Sequence, residues 1–190
     1  IFESNPTYYN LFGRIEYRSK FGAMTTDLTM VKSGAIHKAN GGYLVIQARD
    51  LLTNPLSWET LKRTLRSGEM QIENIGEQLS AIPSSTLKPE PIPFNAKIII
   101  VGSPRVVRLL DIYDDDFKRL FKVTADFGPT MKRTPQNIRR YGSFIAEQCK
   151  EKGYLSFDAS AVARVIEHSS RLVSHQGKLT TQFLEISDVL

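Results

Sequence analysis

Residues 41–47 read Gly-Gly-Tyr-Leu-Val-Ile-Gln, a pair of turn-forming glycines followed by a continuous apolar run. Such a run is typical of a strand that is buried on both faces of a parallel sheet. A second apolar run of this kind occupies residues 97–101. Between the two runs, Asn54 and Pro55 favour the start of a helix and Gly68 favours its end. The order strand, helix, strand predicts an α/β fold with a parallel sheet.

The regions next to this predicted sheet are less regular. The first forty residues combine turn formers with short β-prone runs, and residues 69–97 combine a strand-like start with a series of prolines. The latter pattern is typical of a hairpin or a long loop. Further along, residues 114–121 predict a short helix with an acidic first turn, and residues 121–127 predict a third strand.

The last part of the chain is predicted to be helical. Thr134 precedes a helix whose apolar stripe ends at Gly153, and Asp158 caps the next helix. Thr180 or Thr181 is expected to cap the last one. The sequence therefore predicts two parts, an α/β unit at residues 1–130 and a small all-helical unit at residues 131–190. Since the chain begins without Met and stops within a predicted helix, we expect it to be a piece of a longer protein.

Composition excludes several classes of protein. The 190 residues are 41% hydrophobic and 24% charged, which is ordinary for a globular domain and excludes collagen, a disordered tail and a disulfide scaffold. No apolar run approaches the roughly 18–20 residues that a membrane span needs. The single cysteine, Cys149, cannot form an internal disulfide, so we expect a cytoplasmic protein without a membrane partner. The three histidines lack the spacing of metal ligands, so no metal site is predicted.

Three segments carry a resemblance to a known family. Residues 10–13 read N-L-F-G, residues 20–26 read K-F-G-A-M-T-T, and residues 34–46 read G-A-I-H-K-A-N-G-G-Y-L-V-I. In this order they resemble the middle of an AAA+ ATPase module. The resemblance implies a P-loop NTPase-like, parallel-sheet subdomain that is incomplete at its N-terminus and is followed by a small α-helical lid subdomain.

Two branches of the AAA+ family share this order of segments. One comprises the bacterial enhancer-binding transcription activators, and the other comprises the Lon-type proteases. The stretch Glu-Pro-Ile-Pro at residues 90–93 is similar to the Lon-related branch. In the activators a loop reads G-A-F-T-G-A, whereas residues 22–27 read G-A-M-T-T-D and lack both the aromatic residue and the second glycine. The sequence therefore favours the Lon-related branch and leaves the activators as the alternative.

The resemblance implies that the strand at residues 43–46 is the Walker B strand. In the family this strand ends in Asp-Glu, where the Asp holds Mg²⁺ through water and the Glu polarises the attacking water. Gln47 and Ala48 occupy those positions here. An amide is a poor Mg²⁺ ligand, and a methyl group cannot accept a proton. The favoured interpretation of Gln47 is therefore an ordinary polar residue at the end of a strand.

Three further positions of a degenerate nucleotide site follow from the same resemblance. Ser103 occupies the sensor 1 position, although a serine before Pro104 is also ordinary turn chemistry. Arg119 is the candidate arginine finger, which a neighbouring subunit would use, or else a solvated helix residue. Gln182 is the nearest counterpart of the sensor 2 arginine. The Walker A loop is absent from the chain and is expected upstream of residue 1.

These departures predict weak or absent ATP hydrolysis, because the loss of one electrostatic group at such a site costs roughly 3 kcal/mol of transition-state stabilisation. ATP and Mg²⁺ are accordingly cofactors expected of the parent protein rather than of this chain. No residue of the chain is assigned a catalytic role, and the Ser-Lys dyad of Lon-type proteolysis is expected in a separate downstream domain.

A candidate pore loop comprises Lys20, Phe21 and Gly22. AAA+ rings grip unfolded polypeptide with an exposed aromatic side chain on a loop, and Phe21 is such a residue unless it packs at a strand edge. The resemblance thus implies a Lon-related, nominally ATP-dependent serine protease that assembles as a ring, a hexamer in the family's manner, and acts on unfolded protein. A third interpretation, a DNA-binding module, rests on the basic pairs at residues 132–133 and 139–140, without the interleaved aromatics of single-strand binders.

Overall fold

The computed structural model describes residues 1–20, 23–73 and 89–190. The chain divides into two units, Ile1–Thr124 and Ala125–Leu190. This division falls a few residues before the predicted domain boundary between residues 130 and 131, which stays a prediction.

Within the described residues, the first unit has eight short elements before its central strand and eight elements from that strand onward. In chain order they are β1 (Phe2–Glu3), α1 (Tyr8–Phe12), β2 (Arg14–Ile15), β3 (Arg18–Lys20), β4 (Ala23–Thr25), a 3-10 turn (Leu28–Met30), β5 (Val31–Lys32), α2 (Ala35–Lys38), β6 (Tyr43–Gln47), α3 (Ala48–Leu52), α4 (Pro55–Ser67), β7 (Glu69–Met70), β8 (Ile92–Pro93), β9 (Lys97–Val101), α5 (Pro104–Tyr113) and α6 (Phe117–Leu120).

A parallel sheet of three strands organises this unit, with β6 between β1 and β9. The predicted strands at residues 43–46 and 97–101 are therefore confirmed, and so is their parallel pairing. Leu44 and Ile46 are fully buried in the core. The expectation that both faces of these strands are covered is wrong for the described chain, because Ile99 and Val101 on one face of β9 are more than 40% exposed.

Helix α4 confirms the prediction made from its ends. Pro55 occupies its first turn, and Gly68 ends it in the left-handed conformation with φ 71°. Trp58 and Leu61 are buried against the core. Lys62 of the same helix is also buried, for the reason given with the candidate site below.

Two helices of the first unit were not predicted from the sequence. Residues 8–12 were grouped with β-prone runs, yet they form α1, whose start is capped by the Thr7 side chain. Helix α5 follows Pro104, which the sequence suggested only as a turn residue. The predicted third strand at residues 121–127 is wrong. Val123 and Phe127 are about nine-tenths exposed, and the run pairs with no strand in the described ranges.

Two glycines of the resemblance segments allow a close approach of the backbone. A Cβ on Gly34 would overlap the carbonyl oxygen of Leu11, and a Cβ on Gly13 would overlap the carbonyl oxygen of Lys32. Gly13 also has a φ of 81°, which side-chain-bearing residues rarely adopt. Any larger residue at either position would therefore push α1 and α2 apart.

The second unit contains a helical pair and a small antiparallel ribbon. Its elements are β10 (Thr130–Lys132), α7 (Pro135–Lys152), α8 (Ala159–Leu172), β11 (Lys178–Thr180) and α9 (Phe183–Ser187). The predicted caps at Thr134, Gly153 and Asp158 are confirmed. Because β10 pairs with β11, the expectation of an all-helical unit needs correction. The last helix is preceded by Gln182, so neither Thr180 nor Thr181 is its cap.

Candidate functional site

The end of β6 carries the two residues predicted at the Walker B position. Gln47 is the last residue of the strand and Ala48 is the first residue of α3, so the chain passes from strand to helix without a loop. Gln47 pairs in register with Val101 of β9 and is half-buried. Ala48 is only 1% exposed. A Cβ on Gly102 would lie 2.9 Å from the Cβ of Ala48, so the segments that follow the two strands pack closely together.

This edge of the sheet does not offer the chemistry of a Mg²⁺ site. The Gln47 amide can donate and accept hydrogen bonds, but it carries no charge. Ala48 offers a buried methyl group in a space that Gly102 already limits. The first carboxylate after β6 is that of Asp50, within the first turn of α3. The residues present at the end of β6 therefore fit neither a Mg²⁺ ligand nor a general base.

Ser103 lies at the same edge of the sheet, two residues beyond the end of β9. Its backbone carbonyl accepts from the N–H groups of Val106 and Val107 at 3.0 and 3.2 Å, so it stands at the start of α5. Its hydroxyl makes no capping hydrogen bond to this helix, and the residue is exposed. The parallel sheet thus brings Gln47 and Ser103 to one edge, while the sensor role of Ser103 stays a prediction.

Arg119 lies in α6 and is exposed, and its guanidinium has no partner among the described residues. The helix that carries it is anchored on α4 by a cluster of polar and aromatic groups. Asp114 Oδ2 accepts from Trp58 Nε1 at 2.7 Å and from Lys62 Nζ at 2.8 Å. The ring of Trp58 stacks on Phe121 with centroids 6.1 Å apart. The Arg119 side chain is therefore exposed on a short helix that Asp114 and Phe121, on either side of it, attach to α4.

We call Trp58, Lys62 and Asp114 the Asp114 cluster. Burial alone would raise the pKa of the Asp114 carboxyl, but hydrogen bonds from Lys62 and Trp58 outweigh burial and hold that pKa below its ordinary value. Burial likewise disfavours the charged Lys62 ammonium, yet its hydrogen bonds to Asp114 and Glu59 outweigh this and raise its pKa. Both groups therefore stay charged at neutral pH, and Lys62 also lies 5.5 Å from the centre of the Trp58 ring.

The remaining predicted site residues lie elsewhere. Gln182 belongs to the second unit, where it is exposed and its N–H donates to Thr180 Oγ1 at 3.1 Å. Lys20 is the last residue of β3 and pairs with Ala23 of β4. Phe21 and Gly22, the other two residues of the candidate pore loop, lie outside the described residues.

Sequence reasoning missed the Asp114 cluster. The sequence pattern indicates Asp114 only as part of an acidic helix start, and it indicates no partner for Lys62. The two residues are 52 positions apart, so no local pattern signals their pairing. The buried Trp58 was the one visible hint, because a buried indole N–H needs an acceptor.

Two family profiles match this chain. The profile described as "LonB-like, AAA domain" matches residues 1–128, and the profile described as "Archaeal LonB, AAA+ ATPase LID domain" matches residues 156–190. The chain belongs to the LonB-like AAA family. The matches confirm the predicted AAA+ resemblance and favour its Lon-related branch over the transcription activators.

Three similar proteins carry the name Archaeal Lon protease. The one from Archaeoglobus fulgidus is 25% identical over 185 residues, which is 95% of this chain and 29% of that protein. The one from Thermoplasma acidophilum is 25% identical over 84% of this chain and 24% of its own length. The one from Halobacterium salinarum is 23% identical over 89% of this chain and 24% of its own length. This LonB-like chain thus spans about a quarter of the length of these relatives.

Two kinds of feature are absent from the described ranges. None of the helices there has the length and apolar content that crossing a bilayer requires. No group of three or more His, Cys, Asp or Glu side chains in those ranges is arranged to hold a metal ion.

Proposed function

We propose that this chain is the AAA+ part of a Lon-related protease and that it serves the ring as a structural module which hydrolyses ATP weakly or not at all. The observation that supports the proposal is the end of β6, where Gln47 and the buried Ala48 stand in place of an acidic pair. The similarity to proteins named Archaeal Lon protease supports the proteolytic role of the parent.

The expected loss of hydrolysis follows from the charge that develops during phosphoryl transfer. Catalysis of this reaction depends on positioning and on electrostatic stabilisation, which Mg²⁺ and charged side chains supply. One missing group of this kind costs roughly 3 kcal/mol, which is a factor of about a hundred or more in rate. The uncharged Gln47, Ala48 and Gln182 leave three such positions without a charge. Nucleotide binding by the parent is compatible with this proposal, whereas efficient turnover is not.

The same proposal includes the handling of an unfolded protein substrate. A ring of several copies would present Lys20, Phe21 and Gly22 to the polypeptide, and Phe21 would provide the aromatic grip. Peptide-bond hydrolysis would occur in a downstream Ser-Lys domain outside this chain, in the cytoplasm. Ser103 and Arg119 would then be inherited positions of the nucleotide site rather than active ones.

ATP turnover by the full-length protein tests the proposal. We expect turnover close to the background rate, because Gln47 and Ala48 stand where the Walker B strand would supply two acids. For the same reason we expect Arg119→Ala to leave the rate unchanged within twofold. Lys118→Ala is the matched control, since Lys118 is the exposed neighbouring base on the same helix. A steady-state rate far above background that Arg119→Ala abolishes and Lys118→Ala preserves would contradict the proposal.

A further inference from the structure

A pocket of about 500 Å³ lies within the second unit, at the end of α8. Its volume is in the range of sites that hold small organic molecules. The helix contributes Ser170 and Arg171 to the lining, and the turn that follows contributes His175. Arg133 reaches the same pocket from the segment after β10, and its backbone N–H is held by the Gly177 carbonyl at 2.8 Å.

Among the residues that line this pocket, Ser170 has a hydroxyl without a hydrogen-bond partner in the described part of the chain. The residue is 7% exposed, and this hydroxyl is buried. Its neighbour Ser169 is different, because its hydroxyl donates to Tyr141 Oη at 2.9 Å and accepts from the Thr180 N–H at 3.0 Å. A buried hydroxyl without a partner costs stability, so the Ser170 hydroxyl calls for an explanation such as a bound group.

The other lining residues supply donors that are mostly unused. Arg133 Nη1 donates to the Gln176 carbonyl at 3.4 Å, and the other N–H groups of this guanidinium have no partner among the residues that the structure describes. Arg171 lies 3.8 Å from Glu167, but that carboxylate is closer to Arg164, at 3.0 Å. His175 Nδ1 accepts from the Gly177 N–H at 3.0 Å, so the neutral ring carries its hydrogen on Nε2 and is a donor there.

The charges of the pocket favour an anion. Two arginines and one glutamate line it, and these three residues together carry one net positive charge. Glu167 is the acid of the lining, and it pairs with Arg164 at 3.0 Å and more loosely with Arg171 at 3.8 Å, whereas Arg133 forms no ion pair among the described residues. Guanidinium groups match the oxygens of phosphate with paired hydrogen bonds, and the serine and imidazole add two neutral donors.

We propose that this pocket binds the phosphate group of a small organic phosphate monoester. Arg133 and Arg171 pair with the phosphate oxygens, the Ser170 hydroxyl donates to one of them, and the remaining volume accommodates the organic part. This site is separate from the candidate nucleotide positions of the first unit and does not depend on the proposed function.

Calorimetric titration of the 190-residue chain with phenyl phosphate and with inorganic phosphate tests the assignment. We expect phenyl phosphate to bind, and we expect Arg133→Gln and Arg171→Gln each to weaken binding by about tenfold or more. Arg139→Gln is the matched control, because Arg139 is an exposed base of α7 outside the pocket lining. Equal affinity for inorganic phosphate supports the subsite and identifies the free anion as the ligand.

A second variant separates a binding role of Ser170 from a structural one. Ser170→Ala should weaken phenyl phosphate binding by about tenfold without lowering the unfolding temperature of the free chain, since the hydroxyl has no partner to lose. The proposal is overturned if neither phosphate probe binds, if Arg139→Gln weakens binding as much as the lining variants do, or if a short DNA duplex binds where phenyl phosphate does not.

Discussion

In the part of the chain that the structure describes, each unit buries a polar network, and the two networks differ in chemistry. The first unit buries the Asp114 cluster, in which a carboxylate and an ammonium are paired. The second unit joins Tyr141, Ser169 and Thr180 through hydroxyl and backbone groups without any charge. A broken ion pair leaves a buried charge, whereas a broken neutral network leaves one unpaired donor. The first unit should therefore be more sensitive both to mutation and to pH.

The largest effect is expected from Asp114→Asn. The change removes the charge that faces Lys62, although Glu59 remains as a second partner of this ammonium at 2.9 Å. We expect the free energy of unfolding of the first unit to fall by about 3 kcal/mol. Asp115→Asn is the control, because Asp115 is exposed, and it should change stability by less than about 0.5 kcal/mol. Urea denaturation followed by the fluorescence of Trp58 measures both variants, and equal effects would contradict the assignment of the cluster.

A smaller effect is expected from Ser169→Ala in the second unit. This change leaves the buried Thr180 N–H without an acceptor, which should cost about 2 kcal/mol. Ser170→Ala is the matched control on the next residue and should not destabilise the unit, since its hydroxyl lacks a partner in the described ranges. Circular dichroism of thermal unfolding compares the two. If Ser170→Ala destabilised the chain as much as Ser169→Ala, the distinction between the two serines would fail.

The smallest effect is the pH dependence that separates the two networks. Because the pKa of Asp114 is lowered in the folded state, the unfolded chain binds this proton first, and its contribution to stability is lost as the pH falls below about 4. The difference in free energy of unfolding between wild type and Asp114→Asn should therefore shrink in acid. The same comparison for Ser169→Ala should stay constant between pH 3 and 7. Urea titrations at several pH values test this, and a constant Asp114→Asn difference would contradict it.

Local signals predicted those parts of the fold that depend on neighbouring residues. The strands β6 and β9, the end of α4 at Gly68 and the caps at Thr134 and Asp158 follow from patterns only a few residues long. The predicted strand at residues 121–127 failed because an apolar run becomes a strand only when another strand pairs with it. Helix α5 was missed because Pro104 is compatible with both a turn and the first turn of a helix.

For the candidate site, the sequence predicted where the residues lie along the chain but not how they pack. The resemblance placed Gln47, Ala48 and Ser103 at the ends of two strands, and their parallel pairing brings these ends to one edge. It did not indicate that Ala48 packs against Gly102, because that contact depends on how α3 and α5 leave the sheet. The pocket beside Ser170 had no signal in the sequence, since Arg133 and Arg171 are distant in the chain.

The amino-acid sequence by itself determined the family resemblance, the parallel strands β6 and β9 and the lack of an acidic pair after β6. Each of these properties depends on which residues occupy one short, continuous stretch of the chain. Only the tertiary structure decided that Lys62 is buried, that Ser170 is left unsatisfied and that Arg133 shares a pocket with Arg171. Each of these depends on contacts between segments far apart in the chain, and the energies that select such contacts are not encoded in any local pattern.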